Sequence, residues 1–120
     1  MRTDLPACPI ESTMALIGEK WKALVIRELV LAEGQSRRFS QLKKGIGSIS
    51  DKMLSQRLRS LEQDGLITRS VVNAAPPRVE YQLTQLGQAL APVLQAMYQW
   101  GEAYQQAADC QRAEDRKRDP

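Results

Sequence analysis

The spacing of the apolar residues in this chain changes at Gly65. Before this glycine, Leu54, Leu58 and Leu61 recur at intervals of four and three residues, so they are expected to form one buried stripe on a helix. After it, residues 78–83 (RVEYQL) alternate between polar and apolar side chains, which is the period of a half-buried strand. A helix that stops at a glycine and leads directly into strands restricts the chain to a few small architectures.

The remaining elements are predicted from helix caps, turn residues and prolines. The segment NAAPP separates two strand-like segments, and its prolines cannot lie in the middle of a paired strand, so it is expected at the tip of a hairpin. In chain order, we expect a helix between Pro9 and Gly18, a helix from Lys20 to the turn-rich segment AEGQS, a short extended piece RRF, a short helix QLKKGI capped by Ser40, a helix over residues 51–64 capped by Ser50, the strands LITRSVV and RVEYQL, and a long helix from about Gln85 to Ala107 capped by Thr84 and bent at Pro92.

This order of elements predicts a mainly α-helical fold with a small antiparallel β-hairpin, that is, a helix-turn-helix followed by a wing. One domain is expected over residues 8–107, and the charged segment 108–120 is expected to be a flexible tail. In a winged helix-turn-helix, the second helix of the pair enters the major groove of duplex DNA. Here that helix covers residues 51–64.

Positive charge is concentrated around this helix. Seven lysine and arginine residues but only one acid, Asp51, lie between Ser36 and Arg59, whereas the whole chain has a net charge of +3. A basic segment in a chain of nearly balanced charge is typical of nucleic-acid binders. A solvated cationic surface without a ligand is the alternative.

One face of helix 51–64 carries side chains that suit the edges of base pairs. Arginine and lysine bind guanine, glutamine binds adenine, and serine binds a base or a phosphate. The alternative is the ordinary solvent face of an amphipathic helix. The candidates on this helix and at its N-terminus are Ser50, Lys52, Ser55, Gln56 and Arg59.

Further candidates for DNA binding flank this helix. The expected phosphate contacts, which position a protein without reading sequence, are Arg37, Arg38, Lys43 and Lys44. At the wing, the candidates are Asn73 and Arg78. For Arg78 the alternative is a cross-strand surface pair with an acid of the hairpin, such as a neighbour of Glu80.

Several other functional classes lack the residues that they need. The chain has no histidine, which excludes histidine-based metal sites and histidine general bases. Its two cysteines, Cys8 and Cys110, lie near opposite ends and form no C-x-x-C pair, so neither a metal nor another cofactor is expected. No apolar run is long enough to span a membrane, and the N-terminal residues show no secretory signal, so a cytoplasmic location is expected.

The chain resembles the HxlR-type winged helix-turn-helix regulators of bacteria in three segments, CPIESTMALIGEKWKALVIREL, RRFSQLKKGIGSISDKMLSQRLRSLEQDGLITR and PPRVEYQLTQLGQALAPVLQAMYQWGE. The resemblance spans about Cys8 to Glu102. It implies a homodimeric transcription factor, related in fold to the MarR-type regulators, that binds double-stranded DNA. It also implies a dimer formed through the N-terminal helix and the long C-terminal helix. Such a twofold dimer is expected on a pseudo-palindromic operator.

The composition of the last helix supports this implication independently. One methionine and three aromatic residues between positions 97 and 104 are more large apolar side chains than the end of one helix buries in so small a domain. A monomer in which Trp100 packs on Trp21 is the alternative. The candidates for the dimer interface are Ile10, Met14, Leu94, Met97, Tyr98, Trp100 and Tyr104.

The resemblance also implies a redox-sensing candidate, because several members of the family sense oxidants or electrophiles through the cysteine that matches Cys8. Independently, Cys8 precedes a helix whose dipole stabilises a thiolate at that end. A structural, partly buried Cys8 is the alternative. No residue marks a site for a small-molecule effector.

The sequence thus predicts a sequence-specific DNA-binding transcriptional regulator rather than an enzyme. The competing interpretation is a winged-helix module for protein–protein contact, in which the basic surface binds an acidic partner. A thiol-dependent enzyme is not supported, because Cys8 has no base, no metal partner and no resolving cysteine in a usable motif.

Overall fold

Five longer helices and a small antiparallel sheet form the body of the protein. A computed structural model describes residues 2–118 of the chain. The elements are α1 (Pro9–Ile17), α2 (Lys20–Leu31), β1 (Arg37–Arg38), α3 (Phe39–Ile46), α4 (Asp51–Gln63), β2 (Ile67–Val72), β3 (Arg78–Leu83), α5 (Gln85–Gln88) and α6 (Ala91–Arg118). The strands pair in the order β1-β3-β2, with both pairs antiparallel. The predicted mainly α-helical fold with a β-hairpin is therefore confirmed.

Helices α3 and α4 form the predicted helix-turn-helix. The turn between them begins at Gly47, whose φ of 98° lies in the left-handed region that glycine adopts without a steric penalty. The Ser50 hydroxyl then caps α4 by accepting a hydrogen bond from the backbone N–H of Met53 at 3.1 Å, as predicted. This cap sets the position at which α4 begins, and hence which of its residues face inward.

The core lies between α2, α3, α4 and the hairpin. Helix α2 provides one side of this core, and the predicted leucine stripe of α4 provides another. The largest fully buried side chains are Val25, Ile26, Leu29, Leu42, Leu54, Leu58, Leu61 and Ile67. On β3, Tyr81 and Leu83 are buried and Val79 is half-buried, which confirms the predicted alternation.

Three predicted details of the helices are wrong. Helix α3 begins at Phe39 with Arg38 as its N-cap residue, so Ser40 is not the cap. The reason is that β1 pairs with β3 up to Arg38 and the chain turns into α3 at once. There the side-chain oxygen of Gln41 accepts the backbone N–H of Arg38 at 2.9 Å.

The predicted continuous last helix, bent at Pro92, is wrong as well. Thr84 is indeed a cap, but it caps the short α5, and a separate helix, α6, begins at Ala91. Pro92 is the second residue of α6. A proline is tolerated there because the first N–H groups of a helix have no intrahelical partner, whereas in a continuous helix its ring would clash with the carbonyl of residue 88.

Helix α6 also extends to Arg118 rather than ending near Ala107. Its last turns are supported by polar pairs at helical spacing, an ion pair between Arg112 and Asp109 and a hydrogen bond from Gln111 to Asp115 at 3.2 Å. The division into a domain over 8–107 and a flexible tail over 108–120 stays a prediction. Residues 119 and 120 of that tail lie outside the described part of the chain. Within residues 2–118, none of the helices combines the length and the apolar character needed to cross a bilayer.

The end of α4 and the start of α5 are joined around one threonine. The Thr84 hydroxyl donates to the carbonyl of Gly65 at 2.8 Å, and the Thr84 backbone N–H donates to the carbonyl of Leu66 at 3.0 Å. The same hydroxyl accepts the N–H of Gly87 at 3.0 Å. Gly87 lies so close to this junction that a Cβ atom placed on it would be 2.2 Å from the carbonyl oxygen of Leu66. The junction therefore requires a glycine at this position.

We expect Gly87→Ala to lower the free energy of unfolding by about 2–3 kcal/mol, because backbone atoms must shift to admit the methyl group. Gly101→Ala is the matched control, since a Cβ atom added to this residue of α6 would have no neighbour within 4 Å. The control should be neutral or more stable by up to about 1 kcal/mol, because alanine is the better helix former. Urea unfolding followed by circular dichroism measures the free energy of unfolding of both variants. Equal stability of the two variants would contradict the close approach of Gly87 to the Leu66 carbonyl.

Candidate nucleic-acid interface

The two faces of α4 are separated as the sequence predicts. The three leucines of the stripe are buried, with Leu54 and Leu61 fully inaccessible and Leu58 only 2% exposed. The opposite face is open to solvent. The exposed residues on it are Lys52, Ser55, Gln56 and Arg59. The orientation of this helix is therefore confirmed, whereas contact of these residues with bases stays a prediction.

The N-terminal end of α4 is polar and is connected to α3. Ser50 is exposed, and because its oxygen accepts the cap hydrogen bond, its proton remains free to donate to a ligand. The Lys43 ammonium lies 2.5 Å from a carboxylate oxygen of Asp51, so part of its charge is engaged within the protein. Lys44, its neighbour in α3, is exposed. Of the two lysines, Lys44 is thus the more available to a phosphate.

Ion pairs between α2 and α4 hold the candidate recognition helix in place. Arg57, one of the seven cations of the basic segment, donates from Nε to Glu19 at 2.9 Å. Lys22 lies 3.9 Å from a carboxylate oxygen of Asp64, and both of these side chains are largely buried. The sequence pattern did not single out these four residues as a group. They position α4 rather than contact a ligand.

The charge of Glu19 is favoured by its surroundings. Partial burial alone would raise the pKa of this carboxyl group. Hydrogen bonds from the backbone N–H groups of Lys22 and Trp21, together with the Arg57 guanidinium, outweigh that effect and lower the pKa below its ordinary value of 4.5. Glu19 is therefore ionised at neutral pH, as the ion pair with Arg57 requires.

The remaining predicted DNA contacts lie on the sheet. Arg37 is half-buried in β1 and donates to the carbonyl of Ser36 at 3.1 Å, whereas Arg38 is exposed. Asn73 and Arg78 are exposed at the hairpin tip. Arg78 lies 3.8 Å from a carboxylate oxygen of Glu80, which is on the same strand, so its loose ion pair is not the cross-strand pair considered for it.

A cleft of about 240 Å³ separates α4 from the hairpin. It brings together residues that the sequence pattern assigned to one helix with a residue of β2, Arg69, that it did not single out. The residues that line it are Ser55, Leu58, Arg59, Glu62, Arg69 and Tyr81. The sequence places Arg69 two residues after Ile67 in the strand LITRSVV, so the two share a face of the sheet. Only the pairing register with β3 shows which face that is.

Helices α1 and α6 share an exposed apolar surface, which we call the α1–α6 face: Ile10, Met14, Val93, Met97 and Trp100. A cleft of about 490 Å³ runs between the two helices. Trp100 is 67% exposed and stacks on Tyr104 with ring centroids 5.3 Å apart. The alternative in which Trp100 packs on Trp21 is therefore wrong.

Two further interface candidates differ in their surroundings. Tyr98 is exposed on α6, like the residues of the α1–α6 face. Leu94, by contrast, is half-buried and packs against the core of its own subunit, so less of its side chain is available to a partner.

Cys8 is exposed at the N-terminus of α1 and forms no disulfide. Its side chain makes no capping hydrogen bond. Because the Cys8 side chain is exposed, the alternative of a partly buried, structural Cys8 is wrong. Cys110 is also exposed, on α6.

Comparison with known proteins identifies the family. Residues 16–109 match the profile of the HxlR-like helix-turn-helix family. The chain belongs to the HxlR-like helix-turn-helix family. This confirms the resemblance drawn from the three sequence segments.

Individual relatives of this HxlR-like chain agree with the family assignment. The HTH-type transcriptional regulator YdeP of Bacillus subtilis (strain 168) is 42% identical over 106 residues, which cover 88% of this chain and 80% of the relative. Among solved structures, the redox regulator HypR in its reduced form matches with a TM-score of 0.77 and 35% identity, covering 86% of this chain and 99% of that one.

A transcriptional regulator of the MarR family from Porphyromonas gingivalis W83 matches with a TM-score of 0.75 and 32% identity, covering 85% of this chain and 97% of that one. Together with HypR, it confirms the predicted MarR-like winged-helix fold.

Proposed function

We propose that this HxlR-like protein is a sequence-specific DNA-binding transcriptional regulator and not an enzyme. The observation that carries the proposal is the exposed polar face of α4, on which Lys52 and Gln56 project away from the buried leucines. Both side chains suit base edges in the major groove, which is wide enough to admit a helix. Exposed cations on α3 and at its N-cap, among them Lys44 and Arg38, supply the charge that attracts the phosphate backbone.

The proposal favours DNA over an acidic protein partner for a geometric reason. The candidate base-reading residues lie on the exposed face of one helix, α4, which follows the basic α3 and precedes the hairpin, and this arrangement suits a groove flanked by phosphates. A protein partner bound only through charge would not require glutamine and serine on the same exposed face.

Gln56→Ala is expected to relax base preference and to weaken binding to the preferred duplex by about 1–3 kcal/mol, while binding to an unrelated duplex changes little. Lys44→Ala is the matched control for a phosphate contact. It should weaken binding to both duplexes equally and lower the log–log salt slope by about one unit. Selection of bound DNA from a random pool, followed by titration of each variant, measures both. Unchanged preference in Gln56→Ala would place the reading residues elsewhere.

We further propose that the protein acts as a homodimer through the α1–α6 face, on a pseudo-palindromic operator. The support is that the five large apolar side chains of this face are all exposed, and clustered exposed apolar side chains mark protein–protein contact sites. Two subunits related by a twofold axis would present their α4 helices to half-sites about 34 Å apart.

Met97→Asp is expected to convert the dimer to a monomer, because the interface would have to bury an unpaired carboxylate. The dissociation constant should rise roughly 30-fold or more, as for a central interface residue. Leu31→Asp is the matched control, since Leu31 is 67% exposed on α2 and lies outside the α1–α6 face. Sedimentation velocity over a concentration series measures the assembly. A wild-type monomer, or equal effects of both variants, would contradict the proposed interface.

Cys8 is proposed as a redox-responsive residue of this regulator. Two observations support it: the exposed thiol at the N-terminus of α1 and the 35% identity to HypR, which is described as a redox regulator. Because α1 contributes to the α1–α6 face, modification of Cys8 would act next to the proposed dimer contact.

Oxidation by hydrogen peroxide is expected to change the operator affinity of the wild-type protein by about 5-fold to 150-fold, the usual range of coupling between distinct sites. Cys8→Ser should abolish this response, whereas Cys110→Ser, the matched control, should retain it. Fluorescence anisotropy with and without oxidant provides the measurement. A response that persists in Cys8→Ser would assign sensing to another group.

A further inference from the structure

The cleft between α4 and the hairpin contains two arginines from different elements. Arg59 reaches it from α4, and Ser55 lies one helical turn before Arg59 on the same side. Arg69 reaches it from β2. Its partner in the strand register is Tyr81, and directly paired residues of antiparallel strands point to the same face of a sheet. Because Tyr81 is buried against α4, Arg69 projects toward that helix as well.

Neither of these arginines forms a close ion pair within the described part of the chain. Among residues 2–118, no carboxylate lies within 4.0 Å of the guanidinium of Arg59 or Arg69. By contrast, Lys43, Arg57 and Arg78 each lie within that distance of an acid. Glu62 is the one acid that lines the cleft. Two cations that face one small cleft repel each other unless an anion lies between them.

The size and the donors of the cleft fit one phosphodiester group. Its volume of about 240 Å³ holds a phosphate with its ester oxygens. Guanidinium groups bind the two non-bridging oxygens of a phosphate through paired N–H donors, and the hydroxyl of Ser55 adds a further donor. The apolar wall formed by Leu58 and Tyr81 reduces competition from water on one side.

The position of the cleft relative to α4 indicates where such a phosphate comes from. A helix with its side chains is about 10–12 Å wide and the major groove is about 12 Å wide, so a helix in that groove is flanked by the phosphates of both strands. The cleft borders α4 on the side of the hairpin. A strand that passes from the groove read by α4 toward the hairpin must cross it.

We propose that Arg59 and Arg69 together hold one phosphate of the DNA backbone in this cleft, with Ser55 as an additional donor. This inference rests on the proposed function and assigns Arg59 to the backbone rather than to a base. The two arginines clamp the DNA strand between the recognition helix and the wing. They thereby hold the backbone beside the recognition helix and contact no base, which leaves base reading to Lys52 and Gln56.

The test uses Arg59→Met, Arg69→Met and the double variant, with Arg112→Met as the matched control. Arg112 is an exposed arginine on α6, far along the chain from the cleft, so its loss removes the same charge elsewhere. Affinities are measured for the duplex recovered by random-pool selection and for an unrelated duplex of equal length, between roughly 0.05 and 0.2 M salt. Thermal unfolding verifies that each variant is folded.

Each single variant should weaken binding to both duplexes by the same factor, on the order of tenfold. The double variant should lose little more than either single variant, and its log–log salt slope should fall by about 0.9 per bound subunit, the value for one phosphate. Arg69→Lys should keep most of the salt slope, because lysine carries the same charge. It should still bind DNA more weakly than the wild type, because lysine lacks the paired N–H donors of the guanidinium group. Arg112→Met should match the wild type.

Several results would overturn this inference. Wild-type affinity of Arg69→Met, a slope loss of about 1.8 per subunit in the double variant, or altered base preference in Arg59→Met would each contradict a shared phosphate clamp. Saturable binding of inorganic phosphate to the DNA-free protein that is lost in the double variant, while the double variant keeps wild-type DNA affinity, would assign the cleft to a free anion instead. A wild-type protein that binds neither duplex would overturn the proposed function. A wild-type protein that binds DNA, with variants that do not show the expected losses, would overturn only the clamp.

Discussion

Burial of the leucine stripe of α4 is the interaction on which the rest of the structure depends. Leu54, Leu58 and Leu61 are almost completely removed from water, and at about 1.5–3 kcal/mol per side chain their burial contributes a large share of the stability of so small a core. Because α4 has one apolar face, burying that face leaves a single orientation for the other. The outward direction of Gln56 is therefore a consequence of core packing and needs no interaction of its own.

Polar contacts then restrict the motions that packing leaves open. A helix held only by a hydrophobic stripe can still slide or rotate slightly, since apolar contacts have little directional preference. The hydrogen-bonded pair of Arg57 with Glu19 restrains α4 along α2, and Lys22 approaches Asp64 more loosely, at 3.9 Å, at a second point. Thr84, at the start of α5, donates hydrogen bonds to the carbonyls of Gly65 and Leu66 and so holds the turn between α4 and β2. The candidate interface is thus precise because its support is partly polar.

Much of this architecture follows from local signals in the sequence, and the exceptions have a common cause. The caps at Ser50 and Thr84 and the leucine spacing depend on neighbours within a turn or two, so they were predictable. The start of α3 depends instead on how β1 pairs with β3, which lie more than forty residues apart along the chain. Arg69 joins Arg59 only after the hairpin register is formed. Pro92 predicts a disturbance of the last helix, but the sequence alone does not distinguish a bend from the observed break between α5 and α6.

The length of α6 has a consequence for the accuracy with which its far end is positioned. At a rise of about 1.5 Å per residue, its 28 residues extend about 42 Å. A lever of that length magnifies small angular errors: a tilt of about 5° displaces its far end by nearly 4 Å, about one base step along a DNA strand. Small changes in the angle at which α6 leaves the core therefore shift any contact made near its far end by a comparable distance.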